Sequence, residues 1–166
     1  MSVFISYRHT DRSQALAVQE RLRHQGIDTR LDVMDEPARS TGDIARLITG
    51  RIREATHLLA VVSQPIGQAW WVPFGIGEAA ITDTRITTLQ VGLAKLPEYL
   101  DQWPLLRTYS DLSAFIYEYH KDRQAALLDS IGLQRCVFRE GVGHSCGALR
   151  TAEDFHRALR QRLKGV

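Results

Sequence analysis

Short apolar runs and longer amphipathic stretches alternate along this chain. Val3-Phe4-Ile5-Ser6-Tyr7 is an apolar and aromatic run followed by the polar segment Arg8-His9-Thr10-Asp11, which predicts a strand and then a loop. Thr10 or Asp11 is suited to cap the helix that follows. The stripe of that helix is Ala15, Val18 and Leu22, flanked by Leu16, and Gly26 ends it. Ile27, Thr29, Leu31 and Val33 alternate with Asp28, Arg30 and Asp32, the pattern of a strand with one wet face near a sheet edge. A polar loop over 34–42 leads to the capping-box-like start Ser40-Thr41-Gly42-Asp43 and to a helix with the stripe Ile44, Leu47, Ile48 and Ile52.

Leu58-Leu59-Ala60-Val61-Val62 is a continuous apolar run ending at Ser63, the signature of a strand buried on both faces. A loop over 63–68 precedes a helix that starts near Trp70 and runs to about Asp83. Strands are expected over 86–93 and 105–108, with a helical turn or irregular segment between them. Asp111 is placed to cap a helix with the stripe Leu112, Phe115, Ile116 and Tyr119. The pattern then changes: 134–138 suggests an extra strand, 141–147 a loop, and Thr151-Ala152-Glu153-Asp154 opens a final basic helix. This alternation predicts an α/β fold, a doubly wound, flavodoxin-like parallel sheet of five strands with helices on both faces. Residues 1–130 would form the domain, and 131–166 a C-terminal extension packed on it. Ligands of such sheets sit at the carboxyl ends of the strands, where the loops 6–10, 34–42 and 63–71 should converge.

Composition narrows the possibilities. A chain of 166 residues, 44% hydrophobic and 24% charged, suits one globular domain. The net charge is +2, from 21 basic and 19 acidic residues, without a long run of one sign, so nucleic acid is not the expected partner. No apolar stretch reaches the ~18 residues of a membrane span, and the first residues lack the pattern of a signal peptide. Two cysteines, Cys136 and Cys146, make no disulfide framework and fit a reducing cytoplasm.

The stretch from Gln68 to Ala79 carries the most chemistry. Trp70 and Trp71 are adjacent, Pro73 stands where a first helical turn has N–H groups to spare, and Glu78 follows within two turns. An aromatic wall, a helix start and a carboxylate make a nucleotide pocket. The same residues also read as packing anchors and a solvated helix acid.

Five segments in order resemble a Toll/interleukin-1 receptor (TIR) domain: Val3-Phe4-Ile5-Ser6-Tyr7-Arg8, Leu31-Asp32-Val33, Thr41-Gly42-Asp43-Ile44, Leu58 to Ser63, and Trp71-Val72-Pro73-Phe74. The resemblance spans residues 2–120 and is closest to the NAD⁺-cleaving, Thoeris-like type of bacterial antiphage defence. It implies an enzyme that breaks the nicotinamide–ribose bond and releases nicotinamide with an ADP-ribosyl or cyclic ADP-ribose-type signal for a downstream effector. NAD⁺ is then a substrate and no cofactor is required. The resemblance also implies self-association through TIR–TIR contacts that involve the 34–42 loop.

The family's essential glutamate lies four positions after a tryptophan. Loss of nicotinamide leaves a ribosyl cation, which a neighbouring carboxylate stabilises. Counted from Trp71 that position is Gly75, and counted from Trp70 it is Phe74. Glu78 is the first carboxylate available, on nearly the same helix face as Gly75 but ~4.5 Å further along the axis. Three readings stand together: Gly75 disables an otherwise competent enzyme, Glu78 has taken over the role, or the domain is a non-enzymatic adaptor.

The resemblance places Arg8 on the rim, where a guanidinium suits pyrophosphate. Tyr7, Trp71 and Phe74 are candidate pocket walls, Asp32 and Asp35 flank the second loop as candidates for the ribose hydroxyls, and Ser63 after the buried strand is placed to approach the ribose. Each has an ordinary alternative, as core aromatic, solvated loop acid or loop cap. Gly141-Val142-Gly143-His144-Ser145-Cys146-Gly147 imitates a dinucleotide fingerprint but lacks the second strand that would complete it. Cys136, His144, Cys146 and His156 have no zinc spacing. Arg157, Arg160, Arg162 and Lys164 make the last helix a basic, solvated face.

Overall fold

A computed structural model describes residues 1–31, 41–63, 70–93, 96–130 and 150–165. Five strands, β1 (Ser2–Tyr7), β2 (Asp28–Leu31), β3 (His57–Val62), β4 (Arg85–Gln90) and β5 (Leu105–Leu106), form one sheet in the order β2-β1-β3-β4-β5. Every pairing is parallel. The helices are α1 (Arg12–His24), α2 (Thr41–Glu54), α3 (Trp71–Ala80), α4 (Leu112–Ser130) and α5 (Ala152–Lys164). This is the five-stranded, flavodoxin-like α/β arrangement that the hydrophobic pattern predicts.

Strand alternation sorts the core into two layers. Val3, Ile5, Leu59, Val61 and Leu89 face α1, α4 and α5, meeting Val18, Leu22, Phe115 and Phe155. Phe4, Leu58, Ala60, Val62 and Ile86 face α2 and α3, meeting Ile48, Ile52, Val72 and Ile76. β1 and β3 are buried along their whole length, as continuous apolar runs require. β2 lies at an edge, with Asp28 exposed and its other residues half-buried.

Several boundaries differ from the sequence expectation. α3 stops at Ala80 and the chain turns through Asp83, whose φ of 51° is incompatible with helix. β4 ends at Gln90, and Gly92 at φ 77° turns the chain away, leaving Leu93 fully exposed. Thr108 is the capping residue near α4, and Asp111 closes the box from its third position. The expected strand at 134–138, the glycine-rich 141–147 segment, Cys136, His144, Cys146, Asp32, Asp35 and nearly all of the 34–42 loop lie outside the described residues. Among the described residues no helix is long and apolar enough to cross a membrane.

The terminal helix α5 is fastened to the sheet by both core and charge. Phe155 and Leu159 are fully buried. Glu118 of α4, also buried, pairs with Arg150 at 2.9 Å and Arg162 at 3.0 Å. Asp122 accepts from Arg85 Nε at 2.8 Å. Arg150 Nη1 lies 2.7 Å from Asp122 Oδ1, an ion-pair contact without hydrogen-bond alignment. Asp83 Oδ1 accepts from the Ala152 N–H, and the neutral ring of His156 accepts the Ile86 N–H at 2.8 Å. β5 pairs only at Thr88 and Leu89, so a side chain from α5 satisfies the backbone group that β5 is too short to reach.

Candidate active site at the β1–β3 switch point

Chain order reverses in this sheet between β1 and β3: β1 leads outward to β2, and β3 leads the other way to β4. The crevice outside their carboxyl ends is where such folds bind ligands. Tyr7 ends β1, Ser63 follows β3, and α3 begins at Trp71 beside them.

Three hydrogen bonds join the elements around the switch point. The Trp71 indole N–H donates to the Tyr7 carbonyl at 3.1 Å. The Asp11 carboxylate receives both the Ser63 hydroxyl and, at 3.3 Å, the Ser63 N–H. Asp11 ends the 3₁₀ turn His9–Asp11, which carries the rim loop after β1 into α1.

The candidate residues distribute unevenly around this crevice. Tyr7 packs into the core cluster under α1 and α4, and its main-chain carbonyl meets Trp71. Arg8 is half-buried, and its carbonyl accepts the Asp11 N–H at 2.8 Å. Trp71 and Phe74 are partly buried against the layer under α2 and α3. Trp70 is the exposed aromatic, at 41%, and its ring meets those of Trp71 and Phe74 edge-on at 6.3 and 5.9 Å. Asp32 lies outside the described residues.

Gly75 is buried one turn below Trp71, on the α3 face turned to α2. A Cβ built there would meet Ile48 Cγ2 at 3.5 Å and Ile52 Cδ1 at 3.6 Å, ordinary contact distances. Side chains lean toward the start of their helix, so a longer side chain at 75 would run back toward Trp71 and the crevice. Glu78 is half-buried, seven residues beyond Trp71, or ~10 Å along the axis. Position 75 lies one turn from Trp71 and position 78 about two turns.

One contributor escapes the sequence reading. Asp11 is expected as a helix cap but makes no capping bond; nothing in a one-dimensional pattern pairs it with Ser63, 52 positions away. Both tryptophans are expected on the rim; the structure leaves Trp70 exposed and Trp71 half-buried, a difference the 3.6-residue period does not settle at a first turn.

The model of the TIR domain family matches residues 3–128. Among solved structures, the chain is similar to the TIR domain of the Toll-related receptor TRR-2 from the lower metazoan Hydra magnipapillata. That likeness has 17% identity and a TM-score of 0.50, and covers 70% of this chain and 92% of that one; at this identity it speaks to the fold. No curated protein matches the sequence. With the family model spanning β1 through most of α4, the chain belongs to the TIR domain family.

Proposed function

We propose that this TIR domain derives from NAD⁺ nucleosidases or cyclases of antiphage defence, enzymes that release nicotinamide and an ADP-ribosyl or cyclic ADP-ribose-type signal, and that Gly75 silences this chain. The observation that carries the reading is the room at position 75. The only glycines with positive φ are Gly26 and Gly92 among the described residues, so the backbone at 75 does not demand glycine. A Cβ there meets Ile48 Cγ2 and Ile52 Cδ1 at ordinary contact distance, so packing around the first side-chain carbon does not demand glycine either. A glycine in a helix costs up to ~1 kcal/mol against a better helix former. The rim beside it is nevertheless cross-tied by Trp71, Tyr7, Asp11 and Ser63. A cross-tied rim beside a bare glycine is what loss of one catalytic group would leave.

The missing group would stabilise the ribosyl cation formed as nicotinamide departs. Removing one such electrostatic contact commonly costs ~100- to 1,000-fold in rate. The test compares nicotinamide release from NAD⁺ by the unaltered chain and by Gly75→Glu, at concentrations that allow assembly. The glutamate variant is expected to gain at least ~100-fold; an inert variant refutes the reading. If the unaltered chain turns NAD⁺ over, Glu78→Gln decides whether Glu78 supplies the acid.

The same glycine favours one alternative, a non-enzymatic adaptor acting through TIR–TIR contacts. That reading requires concentration-dependent assembly, seen by light scattering and disrupted by changes in the 34–42 loop, together with an inert Gly75→Glu variant.

A further inference from the structure

Asp11 breaks a local rule. It stands immediately before α1, where an aspartate ordinarily accepts from the second or third helical N–H. Its side chain makes no such bond. The residue is 1% exposed, and its carboxylate is turned across the sheet's switch point. One oxygen receives the Ser63 hydroxyl, with Thr10 Oγ1 at 3.4 Å, and the other receives the Ser63 N–H. A buried carboxylate is costly unless hydrogen-bonded, and here its partners lie at the end of β3, not in its own helix. Local rules broken in this manner concentrate at functional sites.

The consequence falls on Arg8. The turn that carries it is pinned at both ends, by the Trp71 indole on the Tyr7 carbonyl and by Ser63 on Asp11. The turn is also closed internally by the Asp11 N–H on the Arg8 carbonyl. From this geometry we infer that Asp11 is a positioning residue for a dinucleotide in the crevice. By gripping Ser63 it ties the turn that carries Arg8 to the end of β3, beside the start of α3 where Trp71 holds the Tyr7 carbonyl. The inference rests on the NAD⁺ reading above. It goes beyond that reading in giving a role to a residue that touches no substrate.

The experiment measures NAD⁺ binding by calorimetry to the unaltered chain, Asp11→Asn, Ser63→Ala, Ser63→Thr, Arg8→Ala and the Asp11→Asn/Arg8→Ala pair. Asp11→Asn and Ser63→Ala should each raise Kd about tenfold, and Ser63→Thr, which keeps the hydroxyl, should restore affinity. In the Arg8→Ala background Asp11→Asn should add no further loss, because its effect passes through Arg8. Additive losses, or full affinity in Ser63→Ala, overturn the inference and leave Asp11 as a plain structural brace. If Asp11→Asn fails to fold, Ser63→Ala measured with and without Arg8→Ala decides the question: a loss that vanishes in the Arg8→Ala background supports the positioning role, and a loss that persists there overturns it. NAD⁺ bound equally by every variant sinks the positioning role while the NAD⁺ reading stands. No binding by the unaltered chain, with Gly75→Glu also inert, removes both.

Discussion

Mild acid should loosen α5 through one hydrogen bond. His156 accepts the Ile86 N–H on Nε2, so that nitrogen must be unprotonated. Burial first, then the guanidiniums of Arg160 and Arg85, lower its pKa from the ordinary 6.5 to about 4, against an opposing pull from Asp83. In the unfolded chain the ring takes up a proton near 6.5, while the folded chain resists until about 4. The unfolded state therefore holds more protons in between, and stability that is complete above 6.5 drains away as pH falls toward 4. The gap corresponds to at most about 3 kcal/mol. The ring is partly exposed, and screening reduces this to about 1–2 kcal/mol, or roughly 5 °C in Tm for a chain of this size. His57 shifts in the same direction, lowered by burial and Arg85, whereas burial raises Asp122 and works in the opposite sense. His156→Gln isolates the effect, since its amide oxygen can accept the Ile86 N–H without titrating. Urea unfolding at about pH 7 and about pH 4.5 should show the unaltered chain losing about 1–2 kcal/mol more than the variant. Parallel losses would show that the His156 bond is not what acid breaks.

Two further outcomes test the packing. Glu118→Ala leaves Arg162 and Arg150 short of their buried partner and should cost about 3 kcal/mol, read from the urea midpoint; a change near zero would mean that the cluster does not fasten α5. Gly75→Ala should stabilise by up to about 1 kcal/mol, because the added methyl finds Ile48 and Ile52 at contact distance. A destabilised alanine variant would show that α2 and α3 need bare backbone at 75, and would give the glycine a structural reason.

The core strands were legible in the sequence because their physics is local. A five-residue apolar run such as Leu58 to Val62 must be covered on both faces, and that alone implies a parallel sheet under helices. Alternation around Thr29 and Leu31 marks an edge for the same reason. Boundaries were less legible where one backbone angle decides. The turn at Asp83 and the end of β4 before Gly92 depend on φ values of 51° and 77°, which no hydrophobic count contains.

The site divides along the same line. The order of strands and loops in the sequence places Arg8, Ser63 and the Trp70–Trp71 pair near the strand ends, and the resemblance to TIR domains marks position 75 as the place of an expected carboxylate. Only the tertiary structure decides which groups meet. It turns the Tyr7 ring into the core and leaves its carbonyl for Trp71. It takes Asp11 from its helix and gives it to Ser63. It also seats α5, beyond the family's matched span, against β4 and α4. Each outcome joins residues more than thirty positions apart in sequence or settles a choice between two faces of one strand or helix turn. Local pattern carries no information about such pairs, because their energies exist only once the sheet has brought the partners together.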